Sequence, residues 1–210
     1  MSTAVHVPER EVAPLLVEQE LGSLDERAVD AAFERVMPAL QACYRQGLSR
    51  VRYLAGDVQF FLRIGRDGSA RRVHLRESSL GERETERCLV EAVAAASWPR
   101  PVGGEGEVHK RLGFDQPPGG RRAVEWPAER IYTALKVLDA PAKRCKQPGD
   151  GVYTVTAYVV TKGRHGRVLA AGIAAPSPDA DERAECLLRL VDGAHLPSPG
   201  RLAAKVTFPL

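Results

Sequence analysis

Aromatic residues make up only 6% of this 210-residue chain, methionine occurs twice, and neither sign of charge dominates, with 30 basic residues against 27 acidic ones. The charges are interleaved rather than gathered into blocks, so the basic footprint that nucleic-acid binding requires is missing. No apolar run approaches the ~20 residues that a membrane helix needs, and insertion of this chain into a bilayer is not expected. Residues 1–21 lack a positive start followed by an apolar core, so no export signal is expected in them. There is no G-x-S-x-G elbow, no phosphate loop and no C-x-x-C spacing, and the five histidines, His6, His74, His109, His165 and His195, are scattered. These absences speak against an enzyme, a metal site and a cofactor. What is present is 44% hydrophobic residues, enough for a globular protein with a buried core.

Residues 1–22 mix Pro8 and Pro14 with charges and read as an extended arm. Ser23 and Glu26 have the spacing of a capping box, and Val29, Phe33, Val36, Leu40 and Cys43 then step by three and four along one helix face, with Pro38 expected to kink or split the helix. From Gly56 the period becomes two: Val58, Phe60, Leu62 and Ile64 share one face, and Asp57, Gln59, Phe61 and Arg63 the other. Gly65-Arg66-Asp67-Gly68 is a hairpin turn by composition. Val73 and Leu75 continue the apolar face on a returning strand whose other face carries Arg72, His74 and Arg76. Residues 78–82 supply caps for a helix with Cys88, Leu89, Ala92, Val93 and Ala96 on one side. Trp98-Pro99 ends that helix, and residues 107–114 form a third strand. The segment Gln116-Pro117-Pro118-Gly119-Gly120-Arg121-Arg122 can neither extend a strand nor start a helix cheaply, so the linker falls at 116–122, between domains at 23–115 and 123–210. After Pro127, residues Ile131, Leu135, Leu138, Ala142 and Cys145 make a second amphipathic helix, with Pro141 late in it.

The two halves repeat each other. Cys43 maps to Cys145 with a shift of 102, and Val58, Phe60, Leu62 and Ile64 map to Tyr153, Val155, Ala157 and Val159 with a shift of 95. Gly68, Val73, Leu75, Cys88, Pro99 and Pro101 map to Gly166, Ala171, Ile173, Cys186, Pro197 and Pro199, all with a shift of 98. Repetition of this kind means one supersecondary unit used twice. The fold class is therefore α+β, each unit running helix, strand, strand, helix, strand. The helix after the second strand returns the chain to the same end of the sheet, so the third strand runs parallel to the second and the first lies between them, in a three-stranded antiparallel or mixed sheet. Helices cover one face, and the polar positions leave the other open.

Cys43-Tyr44, Gly56-Asp57-Val58, Ile64-Gly65-Arg66-Asp67-Gly68, Glu77-Ser78-Ser79-Leu80-Gly81, Glu86-Arg87-Cys88 and Trp98-Pro99-Arg100-Pro101 follow one another in an order that resembles the AgmX/PglI C-terminal domain, a relative of the TonB C-terminal domain. The resemblance covers roughly residues 24–114; over 128–210 it rests mainly on the internal repeat. It implies a non-enzymatic, envelope-facing module of the kind found in motility, secretion or transport assemblies, binding partner peptides or oligomerising through sheet edges. It transfers no catalytic or ligand residues.

Four cysteines allow three pairings, and the repeat selects Cys43 with Cys88 and Cys145 with Cys186. That reading places the protein in the periplasm or cell envelope; its alternative is a cytosolic regulatory or complex-assembly protein with four reduced core cysteines. Arg71, Arg72, Arg76 and His74 form a basic stripe, read as a solvated strand face rather than a nucleic-acid site. The expected mode of action is addition of a partner strand to an exposed sheet edge. Two edges qualify: Glu107, Val108, His109, Lys110, Arg111 and Leu112 in the first unit, and Ala203, Ala204, Lys205, Val206, Thr207 and Phe208 in the second. The second lies near the chain end and could take a partner or pair with its counterpart in a homodimer.

Overall fold

The computed structural model describes residues 21–210, so the arm expected at 1–22 lies almost wholly outside it. The apolar side chains gather into two clusters, one built mainly from residues 24–114 and one from residues 126–210.

In the first unit, helix α1 (Glu26–Arg50) buries Val29, Phe33, Val36, Leu40 and Cys43. Its N-cap is Asp25, whose carboxylate accepts from the Arg27 N–H, and not Ser23 as the capping-box spacing suggested. Ser23 is instead held out of the helix by a reciprocal pair of backbone bonds with Val102, each 2.9 Å. Nor does Pro38 split the helix. It and Glu34, whose carbonyl loses its partner, both lie on the exposed side, where water can satisfy that carbonyl. Strands β1 (Gly56–Ile64) and β2 (Ala70–Ser78), helix α2 (Arg83–Ala94) and strand β3 (Gly106–Phe114) follow as expected. The sheet order is β2-β1-β3, with β1 antiparallel to both neighbours. Trp98 is a core anchor: its indole N–H donates to the Val93 carbonyl and its ring meets Phe33 edge-on at 4.7 Å.

The second unit repeats this plan with two additions. Strand β4 (Val124–Trp126) comes first. The single helix expected after Pro127 is three pieces: a short 3-10 turn at Ala128–Ile131, α3 (Tyr132–Lys136) and α4 (Asp139–Cys145). Pro141 accounts for the last break, because it has no N–H to return to the carbonyl of Val137, and the helix stops there and restarts with Pro141 in its first turn, where the missing donor does no harm. Strands β5 (Thr154–Lys162) and β6 (His165–Ala174) form the hairpin, α5 (Pro178–Asp181) and α6 (Ala184–Asp192) the covering layer, and β7 (Leu196–Pro197) and β8 (Ala204–Pro209) complete the sheet in the order β4-β8-β5-β6-β7. The sheets thus hold three and five strands in a mixed α+β fold. Both disulfides are those the repeat selects, Cys43–Cys88 and Cys145–Cys186, each with its Cα atoms 5.7 Å apart. Closing loops of 45 and 41 residues restricts the unfolded chain by about 4 kcal/mol each in the entropy model.

The open face of the second sheet is not left to water. Val155, Ala157 and Val159 point to their own core, so the intervening Thr156 and Tyr158 point the other way and are buried against the first unit. The Tyr158 hydroxyl donates to the Ala55 carbonyl (3.1 Å) and accepts from the Ala55 N–H (3.0 Å), and the Thr156 hydroxyl faces the Ser78 carbonyl at 3.4 Å. Glu86 of α2 reaches into the same seam, accepting from the Ser78 hydroxyl at 2.6 Å and from the Ile173 N–H of β6 at 2.9 Å. Gly172 leaves room for it, since a Cβ there would overlap the carboxyl group. Arg83 closes the rim with a two-pronged bond to Asp181, both contacts 3.1 Å, and one to Glu185.

Burial raises the Glu86 pKa above its ordinary value, against the opposing effect of its hydrogen bonds and of Arg83. A carboxyl raised in the folded state lends stability that is complete below its unfolded-state pKa, about 4.3, and is lost as pH climbs through the folded-state value, at up to ~1.4 kcal/mol per pH unit. Glu86→Gln keeps the shape and removes the titration. In denaturant unfolding the variant is expected to gain on the wild type as pH rises from about 4 to about 8; a pH-independent difference, or one of opposite sign, would contradict this.

Candidate partner-binding edge

All nine residues of β3 pair with β1, from Gly56↔Phe114 to Ile64↔Gly106, without a bulge. Among the described residues no strand pairs with its other side, so alternate backbone N–H and C=O groups of residues 106–114 face outward. The expected edge residues therefore do lie along an unpaired edge. Val108 and Phe114 are buried beneath α1, and Lys110 lies on that side too, bonded to Asp30 at 2.8 Å with its ammonium group 5.6 Å from the centre of the Phe33 ring. Leu112 is half-buried on the same face. Glu107, His109 and Arg111 stand on the opposite face. Glu107 pairs with Arg63 (3.0 Å) and His109 (2.9 Å), and Arg111 reaches over Gln59 to Glu77. These side chains are tied down within the sheet's own faces, leaving the backbone groups as the outward-facing chemistry of the edge.

The second expected edge is corrected. β8 lies inside its sheet, because β4 runs parallel along its outer side with Val124↔Ala204, Glu125↔Lys205 and Trp126↔Val206 in register. The Ala203 carbonyl is also taken, accepting from the Val124 N–H at 2.8 Å. Thr207 and Phe208 lie beyond the end of β4, but Phe208 is a core side chain and the Thr207 hydroxyl bonds to Thr156 at 2.9 Å. Lys205 is not a partner-facing cation. Its amine is buried, donates to the Ala55 carbonyl at 2.8 Å, and has its pKa lowered by that burial. Three residues were too short a run to read as a strand, and the signal that could have found β4 is Trp126, a buried aromatic immediately after the linker, with the Arg130 guanidinium 4.5 Å from its ring centre.

No catalytic constellation forms around the histidines. His6 lies outside the described residues, His165 and His195 are exposed, and His74 and His109 flank Phe61 on the open face of the first sheet, with ring centres 4.9 and 5.3 Å away. His74 is buried, which lowers its pKa and favours the neutral ring. Among the described residues no group of three or more His, Cys, Asp or Glu side chains is placed to hold a metal ion, and no helix is long and apolar enough to cross a membrane. Comparison of the chain with protein-family models, curated proteins and solved structures gives no match.

Trp126 pins β4 against β8, so Trp126→Ala is expected to cost about 3 kcal/mol or more in urea unfolding and to uncover the β8 edge. Sedimentation should then show self-association beyond that of the wild type; a variant as stable and as dispersed as the wild type would contradict the sealing role of β4.

Proposed function

We propose that the chain is a non-enzymatic binding or scaffolding protein of TonB-like type, made of two such units, that acts in the periplasm or cell envelope and engages a protein or peptide partner by strand addition to the outer edge of β3. The observation that carries this reading is a nine-residue strand paired, among the described residues, on one side only, while β4 lies along the corresponding edge of the second unit. In strand addition the main-chain bonds supply much of the affinity, which suits an edge whose side chains are already engaged within the sheet. The two disulfides support an oxidising, extracytoplasmic environment, since such bonds persist there and are rare where thiols are kept reduced. Four reduced cysteines in a cytosolic assembly protein, the alternative, would leave these pairings without a role. Homodimerisation through two β3 edges is a variant of the same mechanism.

The test is selection of peptides from a random displayed library on the full chain, followed by NMR of the complex. Selected peptides are expected to shift backbone amides of residues 106–114 and to show contacts between peptide backbone and β3. Binding that spares β3 would overturn the proposal.

A further inference from the structure

Phe61 and Arg63 of β1, Arg71 and Arg72 of β2, Glu105 and Pro178 line a cavity of about 530 Å³ on the open face of the first sheet, with Pro178 contributed by α5 of the second unit. Three features make it more than a solvated strand face. Arg63 and Arg72 stand directly opposite each other in the β1–β2 register, and like charges so placed repel. Between Arg63 and Ile64 the register slips, Arg63 facing Arg72 and Ile64 facing Ala70, which leaves Arg71 as the extra residue of a bulge. A bulge breaks the strict alternation of side chains, and Arg71 accordingly lines the same cavity as its neighbour Arg72. Finally, the counter-ions already present lie at the surface: Arg72 is a loose 3.9 Å from Asp179, with both side chains mostly exposed, and Arg71 donates to Asp67 at 3.0 Å with both side chains about half exposed. Arg63 is the better-satisfied member through Glu107, and its guanidinium lies 6.0 Å from the Phe61 ring centre. Three arginines and Glu105 line the cavity itself, and the carboxylates of Glu107, Asp67 and Asp179 meet the arginines from outside that lining.

We infer that this cavity is a second binding site, separate from the β3 edge, and that it takes an acidic peptide segment of a partner protein. Guanidinium groups recognise carboxylates by paired hydrogen bonds, and the Phe61 ring offers an apolar surface to the aliphatic part of a Glu side chain or its neighbour. A ligand carboxylate between Arg63 and Arg72 relieves their repulsion, so binding is strongest at low salt. The second copy has no such site: the positions of Arg63 and Arg72 are occupied there by Tyr158 and Ala170, at shifts of 95 and 98, which belong to the seam.

The probe is a hexaglutamate peptide titrated into the full chain by calorimetry, with inorganic phosphate as a second arm. The expected result is saturable peptide binding that weakens with salt. It should fall at least tenfold in Arg71→Glu/Arg72→Glu, while the control Arg167→Glu, an exposed change on β6, keeps wild-type affinity. Both variants alter exposed residues, and circular dichroism checks that they fold; Arg72→Gln, a milder change, should show an intermediate loss. Absence of saturable binding, or equal losses in the site variants and the control, overturns the inference. Inorganic phosphate binding as tightly as the peptide also overturns it, by showing a small-anion site.

Discussion

The hydroxyl of Tyr158 donates to the carbonyl of Ala55 and accepts from its N–H, and the amine of Lys205 donates to the same carbonyl. With the Glu86 carboxyl held between Ser78 and the Ile173 N–H, these contacts turn the second sheet's free face into an internal surface. Polar groups buried in this way are costly unless bonded, and each has a partner on the opposite unit. Removing any one of these groups while the seam stays closed would leave its partner buried and unsatisfied. The apolar cluster of the first unit itself includes Tyr158, with Leu169 and Ala170 packed against it, so the second unit contributes side chains to the first unit's core.

This burial makes two copies of one motif unequal. In the first copy the open face keeps Arg72, His74 and Arg76; in the second, the positions at a shift of 98 are Ala170, Gly172 and Ala174. Small residues let the units approach, and Gly172 in particular makes space for Glu86. The edges diverge as well, because the chain leaving the first unit lays β4 along β8 before the second helix begins. The linker is tied into the same region: the Gln116 amide donates to the Leu54 and Arg52 carbonyls at 2.7 and 3.3 Å. On the proposed reading, the second copy has exchanged partner binding for support of the first, which retains an unpaired edge and an arginine-lined cavity.

Much of this was legible in the sequence because it is written in local periodicity. The two-residue period of residues 58–64, the glycine turns and the constant shifts of the repeat lead directly to the hairpins, the strand order and both cysteine pairs. The seam was not, because a buried face between two units and a solvated face carry the same alternation; only the replacement of Arg72, His74 and Arg76 by small residues in the second copy pointed to it. β4 escaped because a three-residue strand is specified by its partner rather than by its own pattern. The capping residue of α1 was misassigned because Asp25 and Ser23 are both good caps, and the bridge to Val102 decides between them. Residues 107–112 lie on a terminal strand, as the strand order implied, whereas the edge at 203–208 was inferred from symmetry that the extra strand breaks.

The central claim is that, among the described residues, the third strand of the first unit, β3, has an open outer edge, whereas its counterpart in the second unit, β8, is covered by β4. Amide hydrogen exchange on the full chain, resolved by residue, tests it most directly. The account predicts alternating fast and slow amides along Gly106–Phe114, with uniformly slow exchange over residues 204–206 of β8 where both sides are paired. Uniform protection of β3, or rapid exchange along β8, would contradict it.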